Sequence, residues 1–214
     1  MKVGILGTGD VGRVLGTAFH SLGHEVRMGS RSPDNPDMRT WVKATGAQAS
    51  GGTFAEAARF GDLIVLATLG VANEEALRSA GPENFRGKVV IDTTNPLDHS
   101  GDGPPKLAYG HTDSAGERVQ RLLPHARVVK AFNTVGSPLM FRPALRGGPP
   151  DMPICGNDEG AKRELAKVLK EFGWNPLDLG GIEMSRYLEP MCIVWVAHGL
   201  RRGSWDHAFK LLTK

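Results

Sequence analysis

Short apolar runs alternate along this chain with stretches in which apolar residues return every three or four positions, the two periods of strand and helix. The first run covers residues 3–6 and leads directly into a glycine-rich turn, after which residues 13–20 have helical spacing. A second strand is expected over residues 25–28, then a helix over 37–45 anchored by Trp41 and Val42. Gly51-Gly52 is expected to break the chain. Thr53, with Glu56 three positions on, then reads as a capping box that opens a helix. Residues 63–67 are apolar throughout, as a strand covered on both faces should be, and a helix follows over 74–78. Residues 88–93 and 127–132 read as further buried strands. Between them lie a long Gly/Pro loop, about residues 98–110, and a helix over 114–123.

In the last third, residues 152–156 read as a strand. Asn157 or Asp158 caps an amphipathic helix over 159–172, with Leu165, Val168, Leu169 and Phe172 on one face. A short strand is expected over 175–179, then a final helix over about 182–200. That helix carries Leu188, Met191, Trp195 and His198 near helical spacing, a stripe suited to the core, to covering a crevice, or to a homodimer interface. Strand and helix in alternation imply an α/β fold, a Rossmann-type doubly wound and mostly parallel sheet with a small C-terminal helical extension. All 214 residues are expected in one domain, with about 1–150 as a nucleotide-binding core and about 151–214 completing the site.

The first turn changes this from a fold to a binding expectation. Gly7-Thr8-Gly9-Asp10-Val11-Gly12 sits after a strand and opens a helix. Gly7 permits the tight turn, Gly9 lets the backbone approach a pyrophosphate, and Gly12 allows close helix packing. The helix N-terminus then offers unpaired N–H groups to the phosphates. About twenty residues on, NAD-specific folds place an acid for the ribose 2′-hydroxyl. Here the chain reads Gly29-Ser30-Arg31-Ser32. A guanidinium with two hydroxyls suits a 2′-phosphate, which points to NADP rather than NAD. Ligands of such sheets lie outside the carboxyl ends of the strands. Four ends carry small or polar residues: the glycine turn, Thr68-Leu69-Gly70, Thr94-Asn95-Pro96, and Asn133 to Ser137.

Composition narrows the partners. A formal net charge of +3 shows no clustered basic face for nucleic acid. The two cysteines, Cys155 and Cys192, have neither metal-type spacing nor a disulfide framework, which suits reduced thiols in a cytoplasmic protein. No apolar run approaches membrane-spanning length. Neither a nucleophilic triad pattern nor a metal cluster appears, and the seven histidines read as surface or core residues. Lys130, inside an apolar strand, keeps its charge only by reaching a partner or water, and exposure at a strand edge is expected.

The chain resembles the small NADP oxidoreductases that include the reductases dependent on coenzyme F-420 (F420). The resemblance rests on the glycine turn, Gly29-Ser30-Arg31, residues 92–97 (Asp-Thr-Thr-Asn-Pro-Leu), residues 129–134 (Val-Lys-Ala-Phe-Asn-Thr), residues 155–158, Phe172-Gly173-Trp174 and residues 209–212, and so spans essentially the whole chain. It implies pyrophosphate held by Thr8, Gly9, Asp10 and Val11, the adenosine phosphate by Ser30 and Arg31, and the nicotinamide beside Leu69 and Val135 to Ser137. The second basic residue that often follows Arg31 in the family is replaced by Ser32-Pro33-Asp34-Asn35, and the proline that many members carry after the third core strand by Leu69-Gly70-Val71. The implied activity is hydride transfer between NADP(H) and a flavin-like partner, F420 or a flavin, in which the cofactors carry the reactivity. Three alternatives stand beside it. They are an NADP(H) sensor or scaffold without turnover, a reductase of another small acceptor, and a methyltransferase, which the absence of an acid after the second strand disfavours.

Overall fold

The computed structural model describes residues 1–101 and 103–214. Five strands come first: β1 (Lys2–Leu6), β2 (Glu25–Ser30), β3 (Ala49–Thr53), β4 (Leu63–Leu66) and β5 (Val89–Asp92). A small hairpin, β6 (Leu97–Asp98) with β7 (Lys106–Leu107), precedes β8 (Arg127–Lys130), β9 (Asp151–Gly156) and β10 (Asn175–Asp178). All but the hairpin join one eight-stranded sheet in the order β10-β9-β8-β5-β4-β1-β2-β3. From β3 to β8 neighbouring strands are parallel, and the chain order reverses at β1 and β4, the switch point where such sheets bind ligands. β9 pairs antiparallel with β8, and β10 runs parallel to β9.

Helices cover both faces. α1 (Asp10–Ser21), α2 (Pro36–Thr45) and α6 (Glu159–Glu171) pack on one core with Val3, Ile5 and Met28. α3 (Phe54–Phe60), α4 (Asn73–Ala80), α5 (Ala115–Leu122) and the start of α7 (Ser185–Arg202) pack on the other with Leu6, Ile64 and Leu66. Alternate residues of each central strand therefore enter opposite cores, which is why those strands read as continuous apolar runs.

Local chemistry sets most boundaries where the sequence places them. Thr53 and Glu56 form the reciprocal capping box of α3, and Asp158 caps α6 through the Ala161 N–H at 2.6 Å. Three expectations change. Gly51-Gly52 does not break the chain but lies within β3, because Met38 of α2 fills the space that a side chain on Gly51 would need. The long Gly/Pro loop holds the β6–β7 hairpin, tied down by the Ala108 N–H donating to the Pro96 carbonyl at 2.7 Å. In α7 the expected stripe divides: Leu188 and Trp195 are buried, Met191 is half-buried and His198 is exposed. Its large members pack within the chain, so the stripe gives a homodimer no support.

Candidate active site

The glycine turn follows from backbone sterics. Gly7 has φ of +127° and its N–H donates to the Gly29 carbonyl at 3.0 Å, stitching the turn to β2. A Cβ there would overlap the Ala67 carbonyl, so only glycine fits. Gly9 is the N-cap of α1 and carries no capping side chain, which leaves the first-turn N–H groups open. The space where a Cβ of Gly9 would point is empty. Gly12 is packed beneath, against the Gly7 carbonyl.

This turn forms the middle of a cavity of about 770 Å³. One end is lined by Ser30, Arg31, Ser32 and Asn35, and the other by Ala67, Thr68, Leu69 and Ser137. The facing wall comes from Phe54 and from Ala72, Glu75, Ala76 and Ser79 around α4. The volume falls within the range of cofactor sites. A cavity with a glycine cradle and a helix N-terminus after β1, between the ends of β2 and β4, suits a dinucleotide with its pyrophosphate on the turn.

At the first end, the Ser30 hydroxyl donates to the Ser32 carbonyl and shapes the bend after β2. Arg31 is exposed at the rim. The nearby acid, Asp34, is engaged by Arg39, and Asn35 is occupied in capping α2 through the Met38 N–H at 2.9 Å. Among the described residues lining this end of the cavity, Arg31 is thus the cation left to face an anion. Asp10, at the start of α1, is held by Arg13 at 2.6 Å.

Beneath the other end runs a buried polar network. The Thr68 hydroxyl donates to Asn73 Oδ1 at 2.7 Å, and Asn73 Nδ2 donates to Thr94 Oγ1 at 2.7 Å. The Thr94 N–H and hydroxyl donate to Asp92 Oδ1 at 2.9 and 2.7 Å. Asn95 Nδ2 donates to the Asn133 carbonyl at 2.8 Å, and Asn133 Nδ2 donates to Asn95 Oδ1 at 3.0 Å and to the Leu188 carbonyl at 2.9 Å. Both partners of that Nδ2 are acceptors, which fixes the Asn133 amide orientation. Its Oδ1 is then buried without a hydrogen-bond partner among the described residues. Just before it, Phe132 has φ of +61°, a left-handed conformation rare for a bulky residue. That outlier turns the chain sharply at the end of β8.

Lys130 corrects the sequence expectation most clearly. It is fully buried, not at an edge, with Nζ 2.8 Å from Asp92 Oδ2 and 3.2 Å from Glu189 Oε1 of α7. Nζ also donates to the Thr94 carbonyl at 2.7 Å. Asp92 Oδ2 lies outside hydrogen-bond alignment, so charge rather than a directed bond holds it there. Burial alone would lower the ammonium pKa, but the two carboxylates outweigh it and raise it above the ordinary value. Burial raises the Glu189 pKa, opposed by Lys130 and by the Ala115 and Gly116 N–H groups, each donating to it at 3.0 Å. One ammonium between two carboxylates leaves one excess negative charge, which the N-terminus of α5 offsets.

The cavity gathers Gly7, Thr8, Gly9, Asp10, Val11, Ser30, Arg31, Thr68, Leu69 and Ser137 from the residues singled out in the sequence. Gly12, Asn95, Asn133 and Val135 are not on its walls. The first supports the turn, Val135 is buried, and the two asparagines hold each other behind the strand ends. Sequence reasoning missed Phe54, Glu75, Ala76 and Ser79; the spacing of the last three on one face of α4 was the available signal.

A family model for coenzyme F420-dependent NADP oxidoreductases matches residues 2–96. The F420-dependent NADP reductase of Methanothermobacter marburgensis is 30% identical over 201 residues, which cover 88% of both chains. The chain belongs to this family. It is therefore an NADP-dependent oxidoreductase. A protein of Arthrobacter sp. FB24, assigned as an F420-dependent NADP reductase, superposes over the whole of both chains with a TM-score of 0.94 and 38% identity. Rat metalloreductase STEAP3 is 31% identical over 192 residues, but these span only 36% of that protein. A reductive aminase of Aspergillus terreus in complex with NADPH shares the fold at a TM-score of 0.68 and 19% identity, over 94% of this chain and 63% of that one. Among the described residues no helix is long and apolar enough to cross a membrane, and no cluster of metal-ligating side chains occurs.

Proposed function

We propose that this enzyme transfers hydride between NADP(H) and a flavin-like acceptor, with F420 as the acceptor that its relatives' names support. The observation that carries the reading is the single cavity that runs from Arg31, past the glycine turn, to Leu69 and Ser137. NADPH supplies the hydride; the protein's residues bind, orient and shield. The Gly7–Val11 backbone and the open N–H groups of α1 hold the pyrophosphate, with Gly12 keeping the turn closed. Ser30 and Arg31 hold the 2′-phosphate. Thr68, Leu69 and Ser137 border the nicotinamide, with Val135 packed behind them, and Asn95 and Asn133 brace the strand ends beneath it. Among the described residues, the titratable groups on the cavity wall are Asp10, Arg31 and Glu75, and the first two lie at the phosphate-binding parts. Chemistry that needs no protein nucleophile or base at the reacting end fits hydride transfer between two cofactors.

Residues 151–214 complete the site rather than form a separate unit. Their support for this role is direct contact with the strand ends: Glu189 pairs with Lys130, the Leu188 carbonyl accepts from Asn133, and Trp195 packs on Gly136.

The test is anaerobic titration with NADPH, NADH and F420. Tight NADPH binding, weaker NADH binding and F420 reduction are expected. No NADPH binding at millimolar concentration overturns the proposal, whereas NADPH binding without F420 turnover moves the acceptor to another small molecule.

A further inference from the structure

The loop after β4 has two sides. Leu69 lines the dinucleotide cavity, while Gly70 and Val71 line a second cavity of about 450 Å³. The loop is anchored at Gly70, which packs against the Asn95 carbonyl so closely that a side chain could not be accommodated. Leu69 and Val71 are 76% and 56% exposed, large values for apolar side chains on a fixed loop. They form an apolar ridge between the two cavities, at the end where the nicotinamide is placed.

Beyond the ridge the chemistry becomes cationic. Arg118 and Arg121 of α5 line the second cavity, together with Tyr109 and Asp113. Arg118 Nε donates to Asp113 Oδ2 at 2.8 Å, and an Arg121 terminal nitrogen donates to both Asp113 oxygens at 2.8 and 3.0 Å. The Arg118 guanidinium also stacks on Tyr109, 3.4 Å from the ring centroid. One carboxylate thus orients two guanidiniums, each with five N–H donors, and a net positive charge remains. The other acid in the wall, Glu74, is engaged by Arg78 at 2.7 Å. The first N–H groups of α5 already donate to Glu189, so an anion in this cavity meets side chains rather than a helix terminus. Pre-oriented guanidiniums lose less rotamer freedom on binding than free ones.

We propose that this second cavity receives the anionic part, phosphate or carboxylate, of the hydride acceptor, whose flat apolar ring lies over Leu69 and Val71. This rests on the flavin-like acceptor reading above. It gives the departure from the family's proline at this loop a function: Leu69-Gly70-Val71 supplies the platform, and α5 supplies the specificity for the charged end.

Two measurements separate this proposal from the reading it rests on. Inorganic pyrophosphate is titrated calorimetrically into protein saturated with NADP, so that the first cavity's phosphate positions are filled. Saturable binding is expected at low ionic strength, weakened tenfold or more in both Arg118→Ala and Arg121→Ala, with circular dichroism confirming that each variant is folded. Absent binding, or binding that both substitutions leave unchanged, overturns the proposal whatever the activity. In the second measurement, reduction by NADPH is compared for FMN against riboflavin and for F420 against its deazaflavin core lacking the anionic chain. A preference for the anionic member of each pair, reduced tenfold or more by Arg121→Ala, supports the assignment, and equal kcat/KM within each pair overturns it. Arginine-dependent pyrophosphate binding with no turnover of any of the four would instead refute the flavin-like acceptor while retaining an anion site.

Discussion

Lys130→Met is the most informative single substitution, because it removes a charge and little volume. The methionine keeps the unbranched stem, so the cavity term is small. What remains is an uncompensated pair of carboxylates. Asp92 and Glu189, which lay 2.8 and 3.2 Å from the ammonium, are 0% and 1% exposed and now face each other. Breaking a buried ion pair from one side costs about 3–5 kcal/mol. Against a total stability of about 5–15 kcal/mol for a domain, that is a severe but measurable loss. The Thr94 carbonyl also loses its donor, which adds about 1 kcal/mol at any pH.

The pH dependence separates this account from simple loss of packing. In the parent, Lys130 has a folded pKa above its ordinary 10.5, so its contribution is constant below pH 10.5 and is lost only at more alkaline pH. In the variant, Glu189, whose folded pKa burial already raises above the ordinary 4.5, loses the ammonium that opposed the rise. The protonated form of Glu189 favours folding, so the deficit is small near pH 5 and grows as pH rises, by up to about 1.4 kcal/mol per pH unit. Urea denaturation of both proteins at pH 5, 6.5 and 8 reads this directly. A deficit near 1–2 kcal/mol at pH 5 that reaches about 3–5 kcal/mol at pH 8 is expected, and Glu189→Gln in the same background should flatten the slope. A deficit independent of pH would refute the reasoning, because it would mean that the triad's charges do not set its energetics.

Three further outcomes are expected. Arg31→Ala weakens NADPH roughly 10- to 100-fold, the worth of charge-assisted hydrogen bonds to a phosphate, and leaves NADH nearly unchanged; equal losses in fluorescence titrations would remove Arg31 from the 2′-phosphate. Burial would raise the Asp113 pKa, but Arg118 and Arg121 outweigh it and hold the carboxyl at about 2. Its contribution is therefore present above pH 3.8 and lost as pH falls toward 2, and with screening it amounts to about 1 kcal/mol. Asp113→Asn should accordingly be less stable than the parent at pH 7 and equal to it near pH 2 in thermal melts. Cys155 and Cys192 are buried, which pushes both thiols up to about 11, so a thiol reagent at pH 7.5 should label neither until denaturant is added. Rapid labelling of folded protein would contradict their burial.

The parts legible in the sequence are those governed by local rules. The capping box of α3, the glycine turn and the apolar central strands depend on neighbours within a few residues, and each lies where its pattern places it. Gly51-Gly52 misled because the same two residues that punctuate loops also allow a strand to pass under a large side chain, here Met38, fourteen or so positions away in the chain. Lys130 misled for a related reason. Its two partners lie 38 residues before it and 59 after it, and no window of sequence contains all three. The cavity wall formed by α4 was hidden because a helix face toward a ligand and a helix face toward solvent can carry the same Glu and Ser residues.

Several energetically demanding features of this chain gather in one place. The left-handed Phe132, the Asn133 Oδ1 that has no hydrogen-bond partner among the described residues, and the Lys130 triad all lie behind the carboxyl ends of β5 and β8. None of them lines the cavity at the glycine turn, yet each is bonded to, or adjacent in the chain to, residues behind its Thr68 end. Asn73 links Thr68 on the wall to Thr94, Thr94 links to Asp92 and Lys130, and Glu189 carries the connection into α7. Strain and buried charge persist where the surrounding structure over-determines them. When two cofactors exchange a hydride, the protein contributes chiefly through distance and alignment, to which rates are steeply sensitive. A network that fixes the strand ends from behind meets that demand, and it ties α7 to the site it helps to brace.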